Sequence, residues 1–262
     1  MKKCVLGMAV AAAGLVLLTS CLGSSNNEFT TTSPGVVTLD SKTARMIVQT
    51  RVGGIYAKGF ETYNEGDCVV VNFTVNQDSP ENAEASKTGY YFSTLNVAPV
   101  EVSQYAINQH QADTSKLLVG EKPIIQAMTP NLVNTYLSYI EKRLFLPVAY
   151  NGISDESLAW DLSYDRQNMK AEEENGKRVY SLFLRRRVVK EGTKKAEDKA
   201  ELLAFRIGNF IDQVNSLEKA ASSKEFYVKI NYIDKINEKD STYTWAKMDP
   251  NFYITFAVPA DK

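Results

Sequence analysis

Short apolar segments separated by turn-forming residues recur along the chain, and this pattern constrains the fold more than any other feature. In the clearest segment, Cys68–Val75, apolar side chains alternate with Asn72 and Thr74. Such alternation gives a strand one apolar face and one polar face. Gly53-Gly54 and the segment Asn64–Asp67 are typical of tight turns between strands. The chain is therefore predicted to be all-β.

The β segments fall into two groups, which predicts two domains. Residues 35–108 hold five short segments, a density typical of a small barrel of the OB type. Residues 131–262 hold seven more, with hairpin signals at Asn151-Gly152 and Asn175-Gly176. One of these segments, Leu202–Ile211, suits either a strand or a helix. We predict an OB-like barrel followed by an antiparallel β-sandwich, joined by a polar linker over residues 109–130.

The first 21 residues have the parts of an export signal. Lys2 and Lys3 give a positive start, an apolar run extends from Val5 to Leu18, and Cys21 follows Thr19 and Ser20. The run is shorter than the roughly 20 apolar residues of a transmembrane anchor. Residues 1–20 resemble a bacterial lipoprotein signal peptide whose lipobox ends at Cys21. The resemblance implies cleavage before Cys21 and attachment of lipid to its thiol.

The segment after the predicted lipidation site is polar. Residues 22–34 are mostly Ser, Asn, Thr and Gly without apolar periodicity, so residues 21–34 are predicted to form a lipidated flexible tether. Fully extended, this tether reaches at most roughly 45 Å. Surface-exposed lipoproteins often carry an acidic signal directly after the cysteine, whereas the first acid here is Glu28. We expect an envelope protein anchored in the outer membrane, on its periplasmic face, with the surface face as the alternative.

The charge balance argues against nucleic acid as a partner. Removal of residues 1–20 takes away Lys2 and Lys3 and leaves 28 basic against 31 acidic residues, a net charge of −3. A nucleic-acid binder needs a surplus of Lys and Arg to displace counterions from phosphates. Contact with the membrane is therefore expected through the lipid on Cys21, not through a basic patch.

Residues suited to catalysis or metal binding are few. His110 is the only histidine, and Cys68 has no disulfide partner once Cys4 leaves with the signal and Cys21 carries lipid. Cys68 is predicted to be a small buried side chain, with a reactive nucleophile as the alternative. On a strand, Asp161 and Asp165 would lie about 13 Å apart, beyond the roughly 5 to 9.5 Å of glycosidase carboxyl pairs. We predict no catalytic residue, no cofactor and no metal.

Two groups of side chains are candidates for ligand binding. Tyr90, Tyr91 and Phe92 lie in the predicted barrel, where exposed rings would stack on sugars or peptides and buried rings would fill the core. Arg185 and Arg187 share one face of a predicted strand. They either bind a phosphate or an acidic glycan, or they keep the strand from pairing with neighbours.

The order of these features is similar to that of a known family. A lipobox, a Ser/Asn-rich segment, a small β domain containing Gly-Asp-Cys-Val-Val-Val-Asn-Phe at Gly66–Phe73, and a second β domain resemble the NigD-like lipoproteins of Bacteroidetes. The resemblance implies an N-terminal OB-like domain and a C-terminal β-sandwich, and it transfers no site residues. We predict a non-enzymatic, lipid-anchored binding or assembly module for an envelope protein. An oligosaccharide-binding lipoprotein is the alternative, and a carboxylate-dependent hydrolase is less favoured.

Replacing Cys21 with Ala should release the protein from the membrane. Each buried methylene contributes roughly 0.8 kcal/mol, so two or three acyl chains hold a protein stably and their loss frees it. In cell fractionation, Cys21→Ala should move from the membrane pellet to the soluble fraction, while Cys68→Ala stays in the pellet. A Cys21→Ala variant that remains fully membrane-bound would contradict the assignment.

Overall fold

The computed structural model describes residues 27–111, 113–125, 134–237 and 239–259, whose strands form three sheets. Sheet 1 contains β1 (Glu28–Asp40), β2 (Arg45–Thr50), β3 (Gly53–Tyr56), β4 (Cys68–Asn76), β5 (Tyr90–Phe92), β6 (Thr94–Leu95) and β7 (Val100–Glu101). Sheet 2 contains β8 (Gln104–Ala106), β10 (Ser138–Ile140), β11 (Arg143–Ile153) and β15 (Ala196–Arg206).

Sheet 3 contains β9 (Glu121–Lys122), β12 (Ser157–Ser163), β13 (Glu172–Glu174), β14 (Lys177–Lys190), β16 (Glu225–Asn237), β17 (Thr242–Lys247) and β18 (Ile254–Ala257). Helix α1 spans Ala85–Thr88 and helix α2 spans Gly208–Ala220. Short 3₁₀ turns lie at Phe60–Thr62, Pro80–Asn82 and Pro250–Phe252.

Sheet 1 forms the N-terminal barrel. Strands β1, β2 and β3 make an antiparallel meander, β1 also pairs antiparallel with β4, and β3 pairs parallel with β5. The side chains that fill the barrel alternate along these strands, as the sequence pattern predicted for Cys68–Val75. They include Val37, Val48, Ile55, Val69, Val71, Phe73 and Val75, and Phe60 of the 3₁₀ turn completes the barrel core. The all-β class and the OB-like barrel are therefore confirmed.

The predicted tether is wrong for residues 28–34, which belong to strand β1. Glu28 to Val36 pair residue by residue with β4, from Asn76 back to Cys68. The β-branched residues Thr30–Thr32 favour extended backbone, and Phe29 packs edge-on against Phe73 with ring centroids 6.4 Å apart. A polar composition therefore concealed a strand. Cys21 and residues 22–26 lie outside the described residues.

Sheets 2 and 3 contribute to one core, which is the basis of the C-terminal domain. Leu144, Leu146 and Phe205 of sheet 2 and Leu162, Leu182 and Val228 of sheet 3 belong to this core. The predicted antiparallel form is wrong at two pairs, because β8 runs parallel to β15 and β14 runs parallel to β16. The crossover connection that the parallel β14–β16 pair requires runs through β15 of sheet 2 and helix α2.

The turn predictions have mixed outcomes. Asn175 and Gly176 have φ angles of 52° and 75° and connect β13 to β14, so this hairpin is confirmed. Asn151-Gly152 is not a hairpin, because both residues lie within β11, opposite β15. A Cβ atom on Gly152 would lie 2.7 Å from the Tyr150 ring, so the glycine serves close packing. Within Leu202–Ile211, β15 ends at Arg206 and α2 begins at Gly208.

The two domains meet in a small apolar cluster. Val36 of β1 and Cys68 of β4 point out of the barrel and pack with residues of sheet 2. The other buried members are Val102, Ile140, Phe145 and Ala204. Strand β8 already pairs with β15, so the barrel ends before Gln104 and not at residue 108 as predicted.

The predicted linker is wrong in its described part, which is built into sheet 3. Strand β9 pairs with β14, and Glu121 Oε2 lies 2.9 Å from Nη1 of Arg185. Both side chains are almost completely buried, at 1% and 0% exposure. Arg185 also donates to the carbonyl oxygens of Asp113 and Lys116, and its guanidinium lies 5.1 Å from the centre of a Trp245 ring. A buried cation therefore fastens the connection to the sheet.

Replacing Glu121 with Gln should destabilise the protein by roughly 3 to 5 kcal/mol, because it leaves the Arg185 charge buried without a counterion. The free energy of unfolding from denaturant titration checks this value. Glu84→Gln, which breaks the exposed Glu84–Lys87 pair, should change it by less than about 1 kcal/mol. Equal effects of the two substitutions would contradict the role of the buried pair.

Candidate ligand-binding cleft

The outer face of the β1–β4 pair changes character along its length. Near Val36 and Cys68 it is apolar and covered by sheet 2. Farther along the same two strands it carries hydroxyl and amide side chains. We name this part the Thr/Asn face, which consists of Thr30, Thr32, Asn72, Thr74 and, on the chain after β6, Asn96.

Hydrogen bonds between side chains hold the Thr/Asn face in a fixed arrangement. Asn72 Nδ2 donates to Thr32 Oγ1 at 2.6 Å, and Asn96 Nδ2 donates to Asn72 Oδ1 at 2.7 Å. The hydroxyl oxygens of Thr30 and Thr74 lie 2.7 Å apart. The face is therefore ordered by its own network and offers donors and acceptors at defined positions.

A cleft of about 320 Å³ adjoins this face. It is lined by the start of β1, the ends of β3 and β4, the 3₁₀ turn at Pro80–Asn82, and the β5–β6 segment. Its volume lies at the lower end of the roughly 300 to 1,000 Å³ of small-molecule sites. Short ligands fit a space of this size.

Asn82 holds the loop that forms one wall of the cleft. The Asn82 side chain is 6% exposed, and its Nδ2 donates to the carbonyl oxygens of Asn76 at 2.8 Å and Phe92 at 3.0 Å. Its Oδ1 accepts from the backbone N–H of Phe92 at 2.7 Å. One amide thus joins the 3₁₀ turn to both β4 and β5. Ser93 adds a second connection, from its backbone N–H to the carbonyl of Tyr56 at 2.8 Å.

Two aromatic rings form another wall. Tyr56 and Phe92 pack edge to face with ring centroids 5.4 Å apart, and the Arg45 guanidinium lies 5.0 Å from the centre of each ring. The Tyr56 hydroxyl donates to Glu61 Oε1 at 2.9 Å, and this hydrogen bond raises the pKa of Tyr56. The rings are therefore fixed in place, and both are half-buried at the cleft.

Several polar groups in the cleft are not used by the fold. Within the described ranges, the carboxylates of Glu28 and Glu81 and the ammonium of Lys58 form no ion pair or hydrogen bond with another side chain. The same is true of the hydroxyls of Ser79 and Thr94. These groups lie on a backbone frame fixed by other residues and are available to form hydrogen bonds with a polar ligand, although binding would order their side chains.

The predicted aromatic candidates separate in the structure. Tyr90 is 1% exposed, and its hydroxyl accepts from Arg45 Nη1 at 2.9 Å, so its predicted role in contacting a ligand is wrong. Tyr91 packs against the barrel core. Phe92 lines the cleft. Since successive side chains of a strand point to opposite faces, the three rings were never able to act as one surface.

The arginine candidates lie elsewhere, on β14. The predicted ligand-binding role of Arg185 is wrong, because its side chain is buried and paired with Glu121. Arg187 is half-buried and lies opposite Glu121 and Ala159 in the backbone pairing. Neither residue lines the cleft.

Cys68 and His110, the remaining candidates for chemistry, lie outside the cleft. Burial raises the pKa of the Cys68 thiol to about 11, so the thiol is protonated at neutral pH. His110 is exposed in a segment that bridges to Asp165, whose carboxylate accepts from the backbone N–H of Gln167. Across the described ranges, no three His, Cys, Asp or Glu side chains converge as metal ligands. No helix in that part of the chain has the length and apolar character to cross a membrane.

Most of the cleft residues carry no signal in the sequence that marks them as a site. Glu28 was assigned to the tether, and Glu81 and Asn82 stand in a polar stretch that gives no periodic signal. One available signal was the alternation of Asn72 and Thr74 with apolar residues, which marked a polar outer face on β4. The cleft itself depends on long-range pairing of β1 with β4, which local pattern does not reveal.

Fold and cleft together define a two-domain, all-β protein with an N-terminal OB barrel. Residues 25–99 match the family model of the lipoprotein OB domain. This match confirms, for the N-terminal domain, the resemblance to lipoproteins indicated by the sequence. No curated protein matches the chain.

Solved structures share the fold over both domains. An uncharacterized protein from Parabacteroides merdae is 24% identical, with 87% of this chain and 99% of that chain covered and a TM-score of 0.73. A putative lipoprotein from Bacteroides fragilis is 13% identical, with 83% and 96% covered and a TM-score of 0.56. A NigD-like immunity protein from Bacteroides caccae is 8% identical, with 87% and 96% covered and a TM-score of 0.49. The first two show that the arrangement of the OB barrel and the second β domain occurs in other proteins.

Replacing Asn82 with Ala should destabilise the protein by roughly 2 kcal/mol, because it removes three hydrogen bonds made by a buried side chain. Thermal and denaturant unfolding measure the change. Asn64→Ala removes an exposed side chain with one 3.5 Å contact to Asp67 and should change stability by less than about 0.5 kcal/mol. Wild-type stability of Asn82→Ala would contradict its role in holding the cleft wall.

Proposed function

We propose that the protein is a non-enzymatic, lipid-anchored binding module of the bacterial envelope, and that the cleft with the Thr/Asn face holds its partner. The proposal rests on the contrast in the cleft between side chains that hold its walls in place and side chains that have no partner within the described part of the fold. Asn82, Ser93 and Glu61 fix the walls, whereas Glu28, Lys58 and Glu81 stay uncommitted. Polar groups held ready on a rigid frame are characteristic of binding sites.

The position of β1 supports a partner in the envelope. Only six residues lie between Cys21 and Glu28, which lines the cleft, so Glu28 is seven residues along the chain from Cys21. An extended chain of that length reaches at most roughly 25 Å, so lipid on Cys21 would keep the cleft close to the membrane. We further propose that the lipid inserts in the outer membrane and that the domains face the periplasm.

The partner belongs to one of two classes. An envelope protein is the class expected from the sequence, and the Thr/Asn face offers it hydrogen-bonding groups. An oligosaccharide is the second candidate, and the lining of the cleft favours it, because hydroxyls, carboxylates and two half-buried rings surround a small space. In either case the protein would bind its partner without converting it chemically.

Binding to isolated envelopes tests the proposal. The chain from residue 21 onward, carrying Cys21→Ser so that lipid plays no part, should bind purified envelope membranes saturably. Thr94→Trp places a large side chain in the cleft and should weaken this binding at least about tenfold. Val52 lies in the exposed turn between β2 and β3, at the end of β3 that is away from the cleft. Val52→Trp should therefore bind like the parent chain.

Two outcomes would contradict the proposal. One is the absence of saturable binding, and the other is equal loss of binding in Thr94→Trp and Val52→Trp. Pretreatment of the envelopes then separates the partner classes. Protease abolishes binding to a protein partner, and periodate abolishes binding to a glycan with vicinal hydroxyls.

A further inference from the structure

We propose that the ligand of the cleft is a short neutral saccharide, an inference that rests on the binding role proposed above and names its chemical class.

The uncommitted groups match the hydrogen-bonding pattern of a sugar. A sugar hydroxyl donates one hydrogen bond and accepts others. The carboxylates of Glu28 and Glu81 only accept, the ammonium of Lys58 only donates, and the Ser79 and Thr94 hydroxyls do both. A polyhydroxylated ring satisfies all three kinds of group at once. Hydrogen bonds in which one partner is charged are also the stronger ones.

The aromatic wall suits the apolar face of a sugar ring. Phe92 and Tyr56 are held edge to face, and Arg45 packs over both rings. A sugar ring that packs against the parts of Tyr56 and Phe92 that line the cleft would bury its C–H groups there. The adjoining carboxylates then receive the hydroxyls at the ring's rim.

The charge of the lining selects against acidic ligands. Two carboxylates and one ammonium leave a net charge of −1 on the groups that are free to bind. A uronic acid or a phosphate would add a negative charge beside the two carboxylates, which like-charge repulsion disfavours. Neutral saccharides avoid this repulsion.

Two sources can display this chemistry near the cleft. A glycolipid headgroup in the same membrane lies within the roughly 25 Å that the segment from Cys21 to Glu28 allows. A soluble oligosaccharide presents the same hydroxyls.

Calorimetric titration with defined sugars tests the inference. The Cys21→Ser chain is titrated with neutral di- and trisaccharides of gluco, manno, galacto and N-acetylglucosamine type and with the matching uronates. At least one neutral sugar should bind saturably, with its uronate at least about tenfold weaker. Glu81→Gln should weaken binding about tenfold, whereas Glu65→Gln, exposed in the turn after the Phe60–Thr62 segment, should leave it unchanged. Unfolding temperatures of both variants confirm that they are folded.

Vesicles separate the two sources. The lipidated protein is placed in vesicles that contain a glycolipid whose headgroup is the sugar found to bind in solution. If this headgroup fills the cleft, titration with the soluble sugar should no longer give a binding signal. An undiminished response identifies the soluble form as the ligand.

The saccharide inference is overturned if no neutral sugar of the panel binds, or if Glu81→Gln and Glu65→Gln bind equally well. If the same chain still binds envelopes in a protease-sensitive, cleft-dependent manner, only the sugar class is wrong. If it binds neither sugars nor envelopes, the proposed function falls as well.

Discussion

The pairing of β1 with β4 is the constraint on which the rest of the structure depends. Its inner face supplies Phe29, Val69, Val71 and Phe73 to the barrel. Its outer face is apolar around Val36 and Cys68, where sheet 2 covers it. The rest of that outer face is polar and leads into the cleft. One pair of strands thus builds the barrel core, the domain junction and the candidate binding surface.

Buried charge plays a different part in the C-terminal domain. Arg185 and Glu121 are both buried away from solvent. Removing either side chain would leave the other charge buried without a counterion and would destabilise the fold. Glu218 is similarly buried and accepts from Arg178 Nε at 2.6 Å, which joins α2 to β14. These pairs fix the positions of the connecting segment and of the helix. The uncommitted groups that line the candidate cleft, Glu28, Lys58 and Glu81, lie instead in the barrel.

Local pattern predicted the strand periodicity well, because alternation on Cys68–Val75 reports directly which side chains face the core. The prediction failed where a polar segment pairs with a distant strand. The polar composition around Thr30–Thr32 indicated a tether, but their backbone forms hydrogen bonds with β4. The pattern on β14 indicated that Arg185 lies at the surface, but its buried guanidinium is paired with Glu121, 64 positions earlier in the chain. Of the cleft, Phe92 was predicted as a ligand contact and Thr74 as part of a polar strand face. The frame made by Asn82 was not predicted, because it exists only after β4 and β5 come together.

If the uncommitted groups of the barrel cleft form the binding surface, a bound partner should protect that surface from hydrogen exchange. Hydrogen–deuterium exchange of the Cys21→Ser chain is therefore measured with and without a saturating envelope fraction. Protection should increase at the start of β1 and over Asn76–Thr94, while β14 and β17 exchange as before. Protection confined to the C-terminal sheets, with no change around the cleft, would contradict this binding surface.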